Sequence, residues 1–526
     1  MIRKAFQLFL VLCCVSVSNT GCIKKSTYIP TTELRRTDSG RMDVLAKDGT
    51  TYRLLYGQVT RDRLRGQGIK YLPDGTSEEF RGNIPLASVS LVQTSRPDVV
   101  SSLTAYGTIG VLAVASVTAL DDDGTGLWVR VTYPTSGGSG SCPFVFTYDG
   151  QEYHFESETV AGAVCRSLER SNLEVLRYLK PHDGTYRLAL SNQSPESQHT
   201  NELSVLAVDH PVGTNVVPDV RGSLHTVRNP LAPITAAGLD GTDCLEQILH
   251  VDDIMFESDL TSRDFNTDDQ LRDGIICEFE RPDGADAAKL IVNGVNTHLG
   301  YFALETLFSM RGPNKLHWYH ELDNNPTERK KLIDWMMREG GLTISVWQNG
   351  NWVKQSWMPD VGPRVTAQKL AVLDLKAVAG STVRIKLECA TDLWLIDQVA
   401  MDYSEDEKIE IVPARLVQAK DDSDRDITEI LNQIDTLYYS ALPGDFALLS
   451  YEAVPEKEGV QRSFALKSTG YYYTWIEEDD KDSRDMVERI LNEPLLGSRI
   501  YLKDWRIARE QYSAEYDMTP RFRAPR

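Results

Sequence analysis

The sequence lacks the short motifs that identify the commonest catalytic and cofactor sites. It contains no H-E-x-x-H pair, no G-x-S-x-G elbow, no P-loop and no G-x-G-x-x-G fingerprint. Basic residues are scarce, with 56 Lys and Arg against 76 Asp and Glu and a net charge of −20. This balance argues against nucleic-acid binding, which requires clustered positive charge. The sequence therefore assigns no catalytic residue, no cofactor and no nucleic-acid partner.

Cysteine is sparse, and its spacing fits no metal template. No C-x-x-C pair occurs among the eight cysteines, so we assign no metal site. Cys142 and Cys165 flank an aromatic hairpin and are candidates for a disulfide in an oxidising compartment. The interpretation we favour is that most of the cysteines beyond Cys22 are buried thiols; these are Cys142, Cys165, Cys244, Cys277 and Cys389.

The N-terminus has the parts of an export signal. A positively charged start precedes the apolar stretch Ala5–Val17, and Thr20-Gly21-Cys22 follows shortly after it. This arrangement resembles a bacterial lipoprotein signal, which implies removal of residues 1–21 and lipidation of Cys22. Because Ile23 rather than Asp follows the cysteine, the resemblance implies an outer-membrane lipoprotein. The alternative is cleavage after Ser18, which releases a soluble protein.

Turn signals and strand-like stretches predict a mainly β, multidomain protein. We expect a small N-terminal β-barrel-like domain, then β-sandwich domains of jelly-roll type with a few helices. One helix is predicted to begin at Asn325-Pro326 and to stop at Gly340-Gly341, and another lies near Arg484–Leu491. The predicted regions are a signal peptide (1–21), a tether (22–40), the barrel-like domain (41–98), an apolar segment (101–120), a linker (121–140), a hairpin-rich region (141–215), a β-sandwich (216–403) and a C-terminal β-rich region with a helix (404–526). Residues 101–120 carry no charge and are long enough to span a bilayer, and a buried or membrane-dipping helix is an equal alternative.

An aromatic hairpin begins the main folded region. Asp149-Gly150 predicts a two-residue type I′ turn, with Phe146 opposite Tyr153 and Phe144 opposite Phe155. The period of two then places these four rings on one core face, and their neighbours on a half-exposed face.

Short motifs recur between Cys142 and Tyr403. Cys142-Pro143-Phe144 and Asp149-Gly150 are followed by Leu168-Glu169-Arg170 and by Val208-Asp209-His210-Pro211. This combination resembles a group of uncharacterised bacterial secreted proteins and lipoproteins with a CPF-x4-DG hairpin. The resemblance implies a folded unit, and it implies no reaction.

Two tryptophans flank a further predicted hairpin turn. A two-residue Asn349-Gly350 loop places Trp347 opposite Trp352. Adjacent indoles stack well on sugar rings, so Trp347 and Trp352 are the candidate ligand-binding residues, with Tyr471–Tyr473 as a second aromatic surface. The alternative, which we favour, is a cross-strand pair buried in the sandwich.

Two other groups suggest metals but fit a structural role better. His317 and His320 have helical spacing without a nearby third ligand, so structural histidines are the better interpretation. The acidic runs 121–124 and 240–243 lack the EF-hand spacing, and turns explain them better.

Three functional hypotheses follow. The first is a noncatalytic cell-envelope lipoprotein, anchored in the membrane by its lipid, whose β-domains bind an envelope protein or a glycan or scaffold an assembly. The second is a carbohydrate-binding protein that uses the aromatic sheet face at Trp347. The third is a hydrolase of envelope or extracellular polymers, for which the large fold and the plentiful acidic residues are the support. Enzyme activity thus stays open, and a noncatalytic protein is favoured.

Overall fold

The computed structural model describes residues 24–29, 39–59, 62–73, 76–97, 142–194, 196–474, 476, 481–516 and 520–524. Its chain forms two compact units. The first contains the described parts of Met1–Gly138, Phe308–His320 and Thr474–Asp482, and the second those of Ser139–Leu307, Glu321–Tyr473 and Ser483–Arg526.

The first unit is built on a six-stranded antiparallel sheet with the form of a half-barrel. Its strands are β1 (Lys24–Ile29), β2 (Ser39–Ala46), β3 (Thr51–Val59), β4 (Arg63–Tyr71), β5 (Ser77–Pro85) and β6 (Val89–Pro97). They are ordered β1-β6-β2-β3-β4-β5. Strand β1 lies within the range that the sequence assigns to a tether, and it pairs with β6.

A small core and one tight turn hold this unit together. The core consists of alternate apolar residues of the strands, namely Met42, Val44, Leu54, Val59, Leu64, Ile84, Val89 and Val92. The β2–β3 turn carries Gly49 at a φ of +86°, and a Cβ there would overlap the imidazole of His320. Glycine is therefore required both for the turn and for the close packing of this ring.

The second unit contains a sandwich made from distant parts of the chain. One sheet has the order β23-β25-β10-β7-β8, and the other has β22-β11-β26-β9 with β24 paired to β11. The strands are β7 (Phe144–Tyr148), β8 (Tyr153–Glu158), β9 (Arg170–Leu176), β10 (Thr185–Ser191), β11 (Glu196–Pro211), β22 (Glu410–Pro413), β23 (Leu416–Asp421), β24 (Tyr439–Ala441), β25 (Phe446–Glu452) and β26 (Val460–Thr474). The core between the two sheets includes Val145, Leu188, Val205, Leu449 and Leu466.

A second sandwich is inserted between these strands. Its larger sheet has the order β14-β15-β20-β17-β18, the smaller has β19-β16-β21, and β12 pairs with β13. The strands are β12 (Asn215–Pro218), β13 (Leu224–Val227), β14 (Thr235–Gly238), β15 (Arg272–Glu280), β16 (Ala287–Asn296), β17 (Leu342–Gln348), β18 (Asn351–Met358), β19 (Ala367–Asp374), β20 (Thr382–Ala390) and β21 (Trp394–Asp402). The sequence division into 141–215, 216–403 and 404–526 thus does not follow the sheets, because strands on both sides of the insertion share one sandwich.

Helices lie between and after these strands. They are α1 (Leu299–Ser309), α2 (Lys315–Asn324), α3 (Pro326–Glu339), α4 (Thr428–Leu431), α5 (Arg484–Asn492) and α6 (Leu496–Tyr516). At the start of α3 the Asn325 side chain accepts the backbone N–H groups of Thr327 and Glu328, and Pro326 occupies the first turn. The predictions of α3 and α5 are confirmed, whereas α1, α2 and α6 were not predicted.

The aromatic hairpin has a longer turn than predicted. Tyr148 pairs with Tyr153 and Phe146 with Phe155, so four residues form the loop. The Asp149 carboxylate accepts the N–H groups of Gln151 and Glu152 at 2.8 and 2.9 Å. This Asx turn replaces the type I′ turn.

The four aromatic rings of the hairpin still lie on one face, although the register differs from the predicted one. The loop is longer by two residues, so the parity of the facing strands is preserved. Phe144, Phe146, Tyr153 and Phe155 share one cluster, as predicted. On the other face Val145 and Thr147 are fully buried, whereas His154 is half-buried and Glu152 is exposed.

The prediction of a mainly β protein with several sheets and a few helices is confirmed. Within the described residues, no helix has the length and apolar character needed to cross a membrane. The predicted apolar segment 101–120 lies outside the described residues.

Candidate functional site

Trp347 and Trp352 lie side by side on β17 and β18. In the loop between them, Asn349 and Gly350 both have positive φ angles of 50° and 81°, as a type I′ turn requires. The register pairs Trp347 directly with Trp352. The two ring centroids are 5.2 Å apart with an interplanar angle of 69°. The predicted turn and pairing are confirmed.

The tryptophan pair faces away from the sandwich core. Ile344 and Val346 of β17 are fully buried, whereas Trp347 is half-buried. Alternate side chains of a strand point to opposite faces, which explains this difference. Trp352 is also half-buried on β18, at the edge of the sheet. The pair is therefore not enclosed in the core, contrary to the interpretation favoured from the sequence.

Charged side chains of β20 lie against the two indoles. The guanidinium carbon of Arg384 is 5.4 Å from the Trp347 centroid and 5.6 Å from that of Trp352. The Lys386 ammonium is 5.7 Å from the Trp352 centroid. Arg384 also pairs with Glu278 of β15 at 3.0 Å. Cation–π contacts of this kind hold exposed indoles in one orientation, with a contribution of about 0.5–1 kcal/mol each.

This arrangement provides a rigid apolar surface bordered by hydrogen-bonding groups. The Trp347–Trp352 face, as we call these two indoles with Arg384, Lys386 and Glu278, combines ring area with charged donors and acceptors. Aromatic side chains with polar handles are the residues that carry most contact energy in recognition surfaces. The chemistry of the face is therefore that of binding.

Tyr471–Tyr473 do not form the predicted second aromatic surface. All three are buried, because β26 lies between β11 and β9 in the middle of its sheet. The ring of Tyr471 stacks on His199 at 4.6 Å. Tyr472 has its hydroxyl 3.3 Å from the backbone nitrogen of Gly162, which donates to it. The prediction of an exposed surface here is wrong.

His199 and Ser440 form a hydrogen-bonded pair in the same interior. His199 Nδ1 is 3.0 Å from Ser440 Oγ, and the two residues are directly opposite each other on β11 and β24. Burial, aided by the charge of Arg166, lowers the pKa of His199 to about 3. An imidazole with so low a pKa is a poor general base at neutral pH, since an efficient base has a pKa near the working pH.

Cys142 lies in a polar interior with Tyr472, Asp360 and Arg170. Burial and the nearby Glu158 carboxylate raise the pKa of the Cys142 thiol well above its usual value, although a hydrogen bond with Tyr472 opposes the shift. Burial also raises the pKa of Asp360. The Cys142 thiol therefore stays protonated at neutral pH and is not the thiolate that nucleophilic catalysis requires.

Two cavities adjoin Asp360. The larger, of about 60 Å³, is lined by apolar side chains together with Arg170, Asp360, Trp335 and Trp357. The indole nitrogens of Trp335 and Trp357 have no hydrogen-bond partner among the residues that the structure describes. The smaller cavity, of about 20 Å³, reaches Cys142. The larger cavity has room for about four water molecules.

The cysteines are buried thiols, as favoured from the sequence. Cys142, Cys165, Cys244, Cys277 and Cys389 are all free and buried, so the candidate disulfide between Cys142 and Cys165 is not formed. Burial raises the pKa of Cys165 to about 12 and that of Cys244 to about 11.

The suggested metal ligands have structural surroundings. His320 packs against Gly49. Asp240 and Asp243 accept the backbone N–H groups of Thr242 and Leu245, as turn residues do. Within the part of the chain that the structure describes, no three His, Cys, Asp or Glu side chains are grouped so that they could hold a metal ion. The acidic run 121–124 lies outside that part.

The sequence analysis missed Asp392, a buried carboxylate in the turn between β20 and β21. Its Oδ2 accepts the indole N–H of Trp505 at 2.7 Å and lies 3.0 Å from Arg509 Nε, whereas Oδ1 has no partner within the described part of the chain. Burial raises the pKa of Asp392 to about 7. No local motif marks this residue, because its partners on α6 follow more than a hundred positions later. Asp392 fastens α6 to the second sandwich.

The predicted lipidation site, Cys22, lies outside the described residues. The comparisons with known proteins add no relative: neither the family models nor the curated proteins gave a match to this chain.

Proposed function

We propose that the protein is a noncatalytic lipoprotein of the bacterial cell envelope, whose β-domains bind a partner or scaffold an assembly. The resemblance of the N-terminus to a lipoprotein signal supports an outer-membrane anchor at Cys22. The observation that carries the binding role is the Trp347–Trp352 face, which presents two oriented indoles on the outside of a sandwich. Aromatic residues held in this way are typical anchors of recognition surfaces.

Affinity capture tests the binding role. The full chain and a Trp347→Ala/Trp352→Ala double variant are used as baits against solubilised envelope. We expect the double variant to lose the captured component that the native chain retains. Tyr178→Ala is the matched control, because Tyr178 is an exposed aromatic residue of the same unit. Identical captured material for the native chain and the double variant contradicts the proposal.

Fractionation tests the anchor. Cys22→Ala removes the thiol that a lipid would modify, so we expect the protein to move from the membrane fraction to the soluble fraction. Cys14→Ala, within the apolar stretch of the signal, is the control and leaves the distribution unchanged. Membrane association that persists in Cys22→Ala contradicts the anchor.

Carbohydrate binding is the second candidate, and the partial exposure of both indoles specifically favours it. A sugar ring stacks on an accessible aromatic face, while Arg384, Lys386 and Glu278 are placed to bond its hydroxyl groups. Titration with soluble glycans, followed by tryptophan fluorescence, tests this function. We expect each of Trp347→Ala and Trp352→Ala to weaken binding about tenfold, which corresponds to about 1.4 kcal/mol. Equal affinities for the native chain and both variants contradict it.

A further inference from the structure

The C-terminal residues 520–524 lie across the aromatic face of the β7–β8 hairpin. The Phe522 ring contacts three others, with centroid distances of 5.6 Å to Phe146, 5.3 Å to Tyr153 and 5.4 Å to Phe446. Pro520 is buried beside it. This segment thus completes an aromatic cluster that begins more than 370 positions earlier in the chain.

The segment is held mainly by the ring of Phe522. Its one described hydrogen bond runs from Gln193 Nε2 to the carbonyl oxygen of Arg521, at 3.1 Å. It belongs to no helix or strand, and Arg521 and Arg523 are exposed on either side of Phe522. The contact therefore consists of an aromatic anchor between two solvent-exposed cations, on a segment without helix or strand.

We propose that the aromatic face formed by Phe146, Tyr153 and Phe446 is a peptide-binding site for a protein partner. The partner segment that it fits lacks helix and strand and carries a phenylalanine between basic residues. The chain's own C-terminus shows this chemistry, because its Arg-Phe-Arg sequence occupies the face. A basic segment also suits a chain with a net charge of −20, since the field of the protein attracts it.

The covalent link between residues 520–524 and the rest of the chain decides which segment occupies the face. A segment linked to its own site has an effective concentration on the order of millimolar, so a free peptide of the same sequence competes poorly with it. The site is therefore closed in the native chain and opens when Phe522 is removed. The partner must bind more tightly than the resident segment or be present at a higher local concentration.

Binding of a labelled peptide to the full-length chain tests the proposal. The peptide has the sequence of residues 520–526, and fluorescence anisotropy reports its binding. We expect Phe522→Ala to bind this peptide at least tenfold more tightly than the native chain does. Ile507→Ala, at an exposed position of α6 outside the segment, is the matched control and behaves as the native chain. A peptide with alanine in place of its phenylalanine binds none of the proteins.

A second variant covers the case in which Phe522→Ala is misfolded. Gln193→Ala removes the described hydrogen bond to the segment and leaves the aromatic face intact, so we expect peptide binding about threefold tighter than in the native chain. Circular dichroism and the melting temperature establish whether each variant is folded. Equal binding to the native chain and both variants, or the absence of binding to a folded Phe522→Ala protein, overturns the proposal.

Discussion

The second unit contains two groups of neighbouring aromatic residues that have opposite environments. Trp347 and Trp352 lie on an outer face and are half-buried, whereas Tyr471–Tyr473 are enclosed. The tryptophans belong to a hairpin whose second strand is at the edge of its sheet, and the tyrosines belong to a strand with neighbours on both sides. The position of a strand in its sheet, and not its aromatic content, decides which group is available for binding.

The residues around each group show how this difference is encoded. Strand β17 places buried Ile344 and Val346 on one face, and β18 carries exposed Lys354 two positions after Trp352. In β26 every residue from Ser468 to Thr474 is buried. Consecutive aromatic residues on a strand point to both faces, so they indicate a strand that is covered on both sides.

The largest expected effect is the loss of stability in Tyr472→Ala. This change leaves a cavity next to Cys142 and removes the acceptor of the Gly162 N–H, so we expect the free energy of unfolding to fall by about 3–5 kcal/mol. Trp347→Ala should cost about 1 kcal/mol, because its ring is half-exposed. Urea unfolding measures both values, and Tyr472→Phe, which keeps the ring, is the control. Similar losses of unfolding free energy for Tyr472→Ala and Trp347→Ala would contradict the difference in burial between the tyrosines and the tryptophans.

The second prediction concerns pH and His199. Its pKa in the folded protein is lowered to about 3 from an unfolded value of 6.5. Folding therefore favours the neutral imidazole. The contribution of His199 to the free energy of unfolding is fully present above pH 6.5 and is lost as the pH falls towards 3. Between these limits we expect the native chain to lose up to about 1.4 kcal/mol per pH unit more than His199→Gln does. Urea unfolding across this range measures the difference between the two proteins.

Other groups of the interior titrate in the same experiment. The pKa of His298 is likewise lowered to about 3 by burial, but this residue is present in both proteins, and its effect cancels in the difference. Parallel stability curves for the native chain and His199→Gln would show that His199 is not enclosed.

The third prediction breaks the turn that orients the tryptophans. Gly350 has a φ of +81°, with open space around the position of a Cβ. Gly350→Ala is therefore strained by its backbone conformation alone, and we expect a loss of about 1 kcal/mol. Thermal unfolding measures the loss, and Gly380→Ala, at a φ of +87° and also in open space, is the matched control for a turn away from the indoles. Only Gly350→Ala should change the tryptophan near-ultraviolet circular dichroism.

The smallest effect is expected for Arg384→Gln. This change removes the ion pair with Glu278 and the cation that lies over both indoles. Because the partners are more than one third exposed, solvent screening limits the loss of stability to about 0.5 kcal/mol. Iodide quenching of tryptophan fluorescence should weaken more visibly, since the anion loses a positive charge that attracts it to the two rings. Unchanged quenching contradicts the described placement of Arg384.

Local signals predicted some parts of this structure well. The Asn349-Gly350 dipeptide has both positive φ angles of its turn, and the Asn325-Pro326 pair starts α3, because the chemistry of each feature lies within a few residues. The tryptophan pairing followed directly from the turn. Its exposure did not follow, because exposure depends on the strands that lie on either side in the folded sheet.

Polar strands in the interior could not be predicted in the same way. Residues Glu196–Glu202 are all buried in β11, although their composition is typical of an exposed loop. One of these side chains has a distant partner: the amide of Asn201 exchanges two hydrogen bonds of 2.8 Å with the backbone of Asp435. Such pairs are separated by more than 230 positions, and no short-range pattern reports them.

The interleaved strand order also determines when the first sandwich can fold. Strand β10 pairs with β25, so Leu188 cannot reach its final position before Leu449 has been synthesised. Strand β9 likewise cannot pair before β26 has been synthesised. The inserted sandwich of β14–β21 has its own strands close together in the chain and is complete earlier. During synthesis, which proceeds from the N-terminus, β9, β10 and β11 thus lack their partners β26, β25 and β22 until these later strands have emerged. Non-local closure of this kind is slow, and it leaves strand edges open to other chains for most of that time.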